Sequence, residues 1–136
     1  MKISILKFSV ENFKIFKEKL VFSMFARKSE HTFEKNGQNL LKTSLIFGPN
    51  ASGKSSLLNA FALFRNGIIN SSNNPEDSVL PYQPFMLGSQ EDKPVFFEAT
   101  FSLDDKIFRY NFSFLKNKII TENLFEITST GKEKTY

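Results

Sequence analysis

Gly48-Pro49-Asn50-Ala51-Ser52-Gly53-Lys54-Ser55 is the stretch whose reading decides this sequence. The apolar run Ser44-Leu45-Ile46-Phe47 comes before it, and Ser56-Leu57-Leu58-Asn59-Ala60-Phe61 follows with a helix-like pattern. The spacing is G-x-x-x-x-G-K-[ST], a phosphate-binding loop between a buried strand and a helix. Its glycines allow a turn tight enough for successive amide N–H groups to face one anion. A helix starting near Gly53 adds unpaired N–H groups and the positive end of its dipole. Lys54 is then the group expected to reach the β- and γ-phosphates, and the Ser55 hydroxyl to take a magnesium position. At average residue usage the pattern arises by accident in roughly one chain in 200 of this length. The bland alternative is a Gly/Ser turn that happens to contain a lysine.

Upstream of the loop, residues 3–10 are β-branched and aromatic enough for a strand that Glu11-Asn12 would end. Leu20-Val21-Phe22-Ser23-Met24-Phe25 reads as a second strand, so 3–25 is expected to be an antiparallel pair. Residues 26–38 are polar and contain Gly37, which predicts a loop; His31 within it reads as a solvated histidine. The continuous apolarity of 44–47 predicts a strand covered on both faces. Downstream, Leu57, Phe61, Phe64 and Ile68 fall at helical spacing, with Gly67 as an end signal. Strand, loop and helix together span 44–68.

Residues 69–94 read as an irregular insertion, turn-rich at Asn70–Asp77 and broken by Pro81, Pro84 and Pro94. The period then becomes two. Val95, Phe97, Ala99, Phe101 and Leu103 alternate with more polar residues, and Asp104-Asp105-Lys106 turns the chain. Phe108, Tyr110, Phe112 and Phe114 alternate again, Lys116-Asn117-Lys118 turns, and Ile119–Thr128 gives a third strand. Segment 95–128 is therefore expected to be a meander with one aromatic face on the core. The tail from Gly131 to Tyr136 shows no terminating element and reads as a cut rather than an end.

With 136 residues the chain is long enough for one domain with its own core. It has seventeen phenylalanines and no cysteine, so disulfides and thiolate metal sites are excluded. A net charge of +4, spread without a dense basic block, permits a nucleic-acid partner without arguing for one. The N-terminal apolar runs are broken by Lys7 and Glu11, unlike a signal peptide, and no stretch is long enough for a membrane span. The expectation is a cytoplasmic protein with no membrane partner.

Taken together, Asn12-Phe13-Lys14-Ile15-Phe16 and the Gly-Pro-Asn-Ala-Ser-Gly-Lys-Ser loop about 48 residues in resemble the N-terminal half of an ABC-type ATPase head of the SMC/RecF kind. The closest likeness is to bacterial AAA-family ATP-binding proteins of anti-phage systems and overcoming-lysogenisation-defect nucleases. The pattern continues weakly into the meander, from Pro94 to Phe101, Tyr110 to Phe112 and Ile119 to Glu122. The resemblance implies an α/β P-loop NTPase lobe, with antiparallel strands packed beside the nucleotide-binding strand–loop–helix. It implies ATP and Mg2+ held by Gly48, Pro49, Asn50, Ala51, Ser52, Gly53, Lys54 and Ser55, with Ser56 beside the α-phosphate. Lys54 would be the catalytic cation, Ser55 the metal ligand, and Lys14 a further basic group near the nucleotide. Asn12 and Phe13 read as structural. The implied partners are a second copy of the head sandwiching ATP, and DNA or an effector such as a nuclease or toxin.

Two departures stand out. Ala51 occupies a position where many such heads carry glycine, a mild change on size alone. More serious, no apolar run ends in Asp-Glu and no Ser-Gly-Gly segment occurs. Asp104-Asp105 falls in an expected hairpin turn rather than at the end of a buried strand, and neither Gln83 nor Gln90 has the setting of the family's Q-loop glutamine. Turnover needs a positioned base and a second contact to the γ-phosphate. The 136-residue chain is therefore expected to bind ATP and, by itself, not to hydrolyse it. The alternatives are a nucleotide-sensing or interaction module without ATPase activity, and a small P-loop phosphotransferase or GTPase. Against the latter, no Asn-Lys-x-Asp motif is present.

Overall fold

The computed structural model describes residues 3–26, 31–35, 37–70, 80–88, 92–128 and 130–136, with only the backbone of Asn70. Alternating residues build the main sheet. Strands β1 (Ile3–Glu11), β2 (Leu20–Ser23), β5 (Val95–Leu103), β6 (Lys106–Leu115), β7 (Lys118–Ile127) and β8 (Glu133–Thr135) lie in the order β2-β1-β5-β6-β7-β8. Every neighbouring pair is antiparallel. A separate hairpin joins β3 (Thr32–Lys35) to β4 (Gln38–Leu41), and one helix, α1, runs from Lys54 to Asn70.

Helix α1 lies across one face of the sheet. Leu57, Ala60 and Phe64 are buried against Phe8, Val10, Phe97, Ala99, Phe112 and Phe114. The contact is largely aromatic: Phe8 stacks on Phe61 at 4.0 Å between ring centres, and Phe64 on Phe112 at 5.7 Å. Phe97 meets the edges of Phe13, Phe64 and Phe112. Fully burying each such side chain is worth about 1.5–3 kcal/mol, which fixes the helix more firmly than its own propensity could. The opposite face is polar, crossed by Lys19–Glu98 (3.2 Å), Arg109–Glu133 (2.8 Å), Asn123–Asn111 (3.0 Å) and Ser113–Thr121 (2.7 Å).

Several expectations need correction. Residues 44–47 form no strand, and Leu45 and Phe47 are 74% and 85% exposed. An apolar run becomes a strand only when a neighbour hydrogen-bonds its N–H and C=O groups, and among the described residues no strand pairs with 44–47. Segment 26–38 is not all loop, because Thr32–Lys35 pairs with Gln38–Leu41 around Gly37 at φ +73. Leu40 is buried on that hairpin, and Leu41 N–H donates to Met24 O at 2.8 Å, tying it to the chain beyond β2.

The helix passes through Gly67 to Asn70, so 69 and 70 are helical rather than part of an insertion. Its buried stripe is Leu57-Ala60-Phe64 with Phe61 half-buried, while Ile68 faces outward. Beyond the expected meander, Glu133–Thr135 adds a short strand paired with the end of β7. The polar segment from Ser71 to Asp77 and Gln90 lie outside the described residues. The described parts of 80–94 contain no helix or strand.

Candidate functional site

The phosphate loop turns directly into α1. Gly53 O accepts the first helical hydrogen bond, from Leu57 N–H at 2.9 Å, which makes Gly53 the residue capping the helix start. It has no side chain to satisfy the first-turn amides, and no acidic residue lies in that turn. The N–H groups of Lys54, Ser55 and Ser56 therefore start a helix whose dipole favours an anion.

Lys54 folds back into the loop. Its ammonium donates to Gly48 O and Pro49 O, both at 2.6 Å, and lies 3.4 Å from Ser52 Oγ. Ser52 N–H donates to Pro49 O at 3.3 Å and closes the turn. The loop is dense: a Cβ at Gly48 would lie 2.5 Å from Ser52 Oγ. Ala51 stands at φ +63, in the left-handed region that costs L-residues roughly 1–2 kcal/mol. The departure from glycine at this position is thus conformational rather than a matter of size. Asn50 and Ser55 are exposed and Ser56 is half-buried at the start of the helix.

The turn Asn12–Phe16 lies beside the loop. Phe13 and Phe16 exchange backbone hydrogen bonds of 2.9 and 2.8 Å, and Asn12 and Lys14 both have positive φ, +52 and +51. This short turn brings Ile15 and Phe16 onto Gly53, which has φ +100. A Cβ at Gly53 would lie 2.6 Å from Ile15 Cδ1 and 3.0 Å from Phe16 Cε1. Gly53 is therefore glycine for two reasons, its backbone angle and its neighbours. Lys14 shares this turn. Its N–H donates to Gln83 O at 2.8 Å, and its ammonium stands 5.7 Å from the Phe13 ring centre.

Asn12 anchors the turn from behind. It is 4% exposed. Its amide donates to Lys93 O at 2.9 Å and Pro94 O at 3.3 Å, and its carbonyl accepts from Phe85 N–H at 3.2 Å. Tyr82 also donates to Lys93 O, at 2.7 Å; burial first, then the Asp92 carboxylate, push its phenol above the ordinary value of 10. The sequence marks Asn12 as structural but does not show the contact of Ile15 and Phe16 with Gly53. The two phenylalanines flanking Lys14-Ile15 were the available signal. Asp104-Asp105 forms the exposed turn between β5 and β6, away from any buried strand end. Gln83 joins the site's surroundings through its backbone carbonyl.

A family model matches residues 44–136, about two thirds of the chain, from the segment leading into the phosphate loop through β8. It is the AAA domain family whose description also names the AbiEii toxin and a type IV TA system. The chain belongs to that family. No curated protein matches it. Membership makes this AAA domain a nucleotide-binding, ATPase-type P-loop domain, a mixed α/β unit with an antiparallel sheet and, among the described residues, one helix. ATP and magnesium fit the residues present: glycine-walled amides at a helix start, a lysine within the loop, and a serine hydroxyl at its rim. Gly48–Ser56 and Lys54 would hold the phosphates and Ser55 the metal, which would supply charge neutralisation of the β- and γ-oxygens. Among the described residues, no helix of the AAA domain is long and apolar enough to cross a membrane.

Proposed function

We propose that this AAA domain is the ATP-gripping lobe of an ABC/SMC-like ATPase head, acting in the cytoplasm. ATP bound at Gly48–Ser56 would bring two heads together, and the cycle of binding and hydrolysis would drive a DNA-processing or defence partner such as a nuclease or toxin. The observation that carries this reading is the loop itself, a helix start with no side chain on its first-turn amides, with Lys54 turned inward and Gly53 pinned by the Asn12–Phe16 turn. The family's description, with its toxin and TA system, favours a defence partner over a metabolic one. The sequence lacks an Asp-Glu strand end and a Ser-Gly-Gly segment, so residues 1–136 are assigned binding rather than turnover. That same lack is the one feature favouring a purely nucleotide-sensing module.

Thermal unfolding with Mg-ATP tests the assignment. At a hundred times the dissociation constant the ligand should stabilise the chain by about 2.7 kcal/mol. Lys54→Ala should remove the gain; equal gains in both proteins would end the proposal. Head pairing is tested separately, by whether ATP converts monomer to dimer in light scattering.

A further inference from the structure

The phosphate loop is held at one point by something outside itself. Gly53 is both the helix cap and a left-handed residue, and the space where its side chain would stand is taken by the end of Ile15, with the Phe16 ring as a second wall. Ile15 is 47% exposed, more than its neighbours in the turn, so its side chain adds little to the core. Yet its Cδ1 lies over the residue whose orientation aims the first-turn amides. A glycine is free to leave a positive φ, and a methyl group filling that space restricts such movement.

We propose that Ile15 is a positioning residue for phosphate binding. It touches Gly53 and sets the amides before any ligand arrives, so the cost of fixing that residue is not charged to binding. The turn that carries it is rigid because Asn12 ties it to residues 85, 93 and 94, and Lys14 N–H ties it to Gln83. The inference rests on the nucleotide reading above and adds a residue that lies outside the G-x-x-x-x-G-K-[ST] motif.

Binding of Mg-ATP and of magnesium tripolyphosphate to the 136-residue chain, measured by calorimetry, tests it. Ile15→Val removes only the Cδ1 methyl, Ile15→Ala removes the whole contact, and Ile15→Leu keeps terminal methyls in reach. Leaving one backbone residue to be ordered on binding predicts about a tenfold loss of affinity for Ile15→Ala, with Ile15→Val between it and wild type. The loss should be the same for both ligands, Ile15→Leu should restore most of it, and the ligand-free melting temperature should barely move. Unchanged affinities in Ile15→Ala overturn the proposal. So does a loss confined to ATP, which would make Ile15 a contact for the nucleoside. If wild type binds neither ligand, or Lys54→Ala binds both, the nucleotide reading fails and this inference with it. Loss in Lys54→Ala with none in Ile15→Ala removes this inference alone.

Discussion

Replacing Asn12 by alanine removes a side chain that is buried, bonded at both ends and placed at a backbone angle alanine dislikes. Its amide and carbonyl satisfy Pro94 O, Lys93 O and Phe85 N–H. Lys93 O keeps the Tyr82 hydroxyl as a second donor, so the groups losing a partner outright are Phe85 N–H and Pro94 O. Each such loss costs about 1–2 kcal/mol when the group is partly buried. Alanine at φ +52 adds about 1 kcal/mol. Asn12→Ala should therefore lose about 3–5 kcal/mol in urea denaturation, read as a lower midpoint at unchanged slope. Asn12→Gly isolates the parts: it loses the same hydrogen bonds but adopts the angle freely, so after the entropy glycine adds to the unfolded state it should recover somewhat under about 1 kcal/mol relative to alanine. A loss below about 1 kcal/mol in Asn12→Ala, or glycine no better than alanine, would refute this account of the turn.

Phe47→Ser should change stability by no more than about 0.5 kcal/mol, because the ring is exposed; a loss of about 3–5 kcal/mol would mean that 44–47 is buried after all. Ala51→Gly should stabilise the chain by somewhat under about 1 kcal/mol, since relief of the left-handed angle outweighs the entropy glycine adds to the unfolded state; calorimetric melting decides the sign. The Tyr136 hydroxyl, then Lys106 at 3.0 Å, hold the Glu126 carboxyl below its ordinary 4.5. Its folded value is depressed, so its contribution is present above pH 4.5 and is lost as the pH falls from there through the folded midpoint. Tyr136→Phe should raise the Glu126 midpoint in an NMR titration, and an unmoved midpoint would show that Tyr136 is not the cause.

The regular elements were legible where one period ran long enough. The alternation from Val95 to Phe114 places one set of side chains on α1 and the other on the polar face, and β5 and β6 follow it along their length. The helical spacing of Leu57, Phe61 and Phe64 was equally plain, but periodicity alone could not show that Ala60 and not Ile68 completes the buried stripe. Pairing was not legible. Ser44–Phe47 has a strand's composition and, among the described residues, no strand beside it, whereas Thr32-Phe33-Glu34-Lys35 is polar and short yet finds Gln38–Leu41 two residues on. Composition describes a segment's own preference, and a ladder needs a second segment. The phosphate loop could be named from its spacing; its support by Ile15 and Phe16 could not, because they lie 38 and 37 residues away in sequence and meet Gly53 only through the fold.

The pairing of β1 with β5 also constrains the order of assembly. Phe8 meets Ala99 about 90 residues later, a closure costing about 4 kcal/mol in chain entropy, whereas β5 and β6 are joined by the two-residue turn Asp104-Asp105. The C-terminal ribbon can form from near-neighbour contacts, whereas docking the first strand has to meet that closure cost. Everything between them, the anion-gripping residues included, sits inside the ring that the β1–β5 pairing closes. Residues 48–56 thus lie on a long covalent loop whose two ends the β1–β5 ladder ties together.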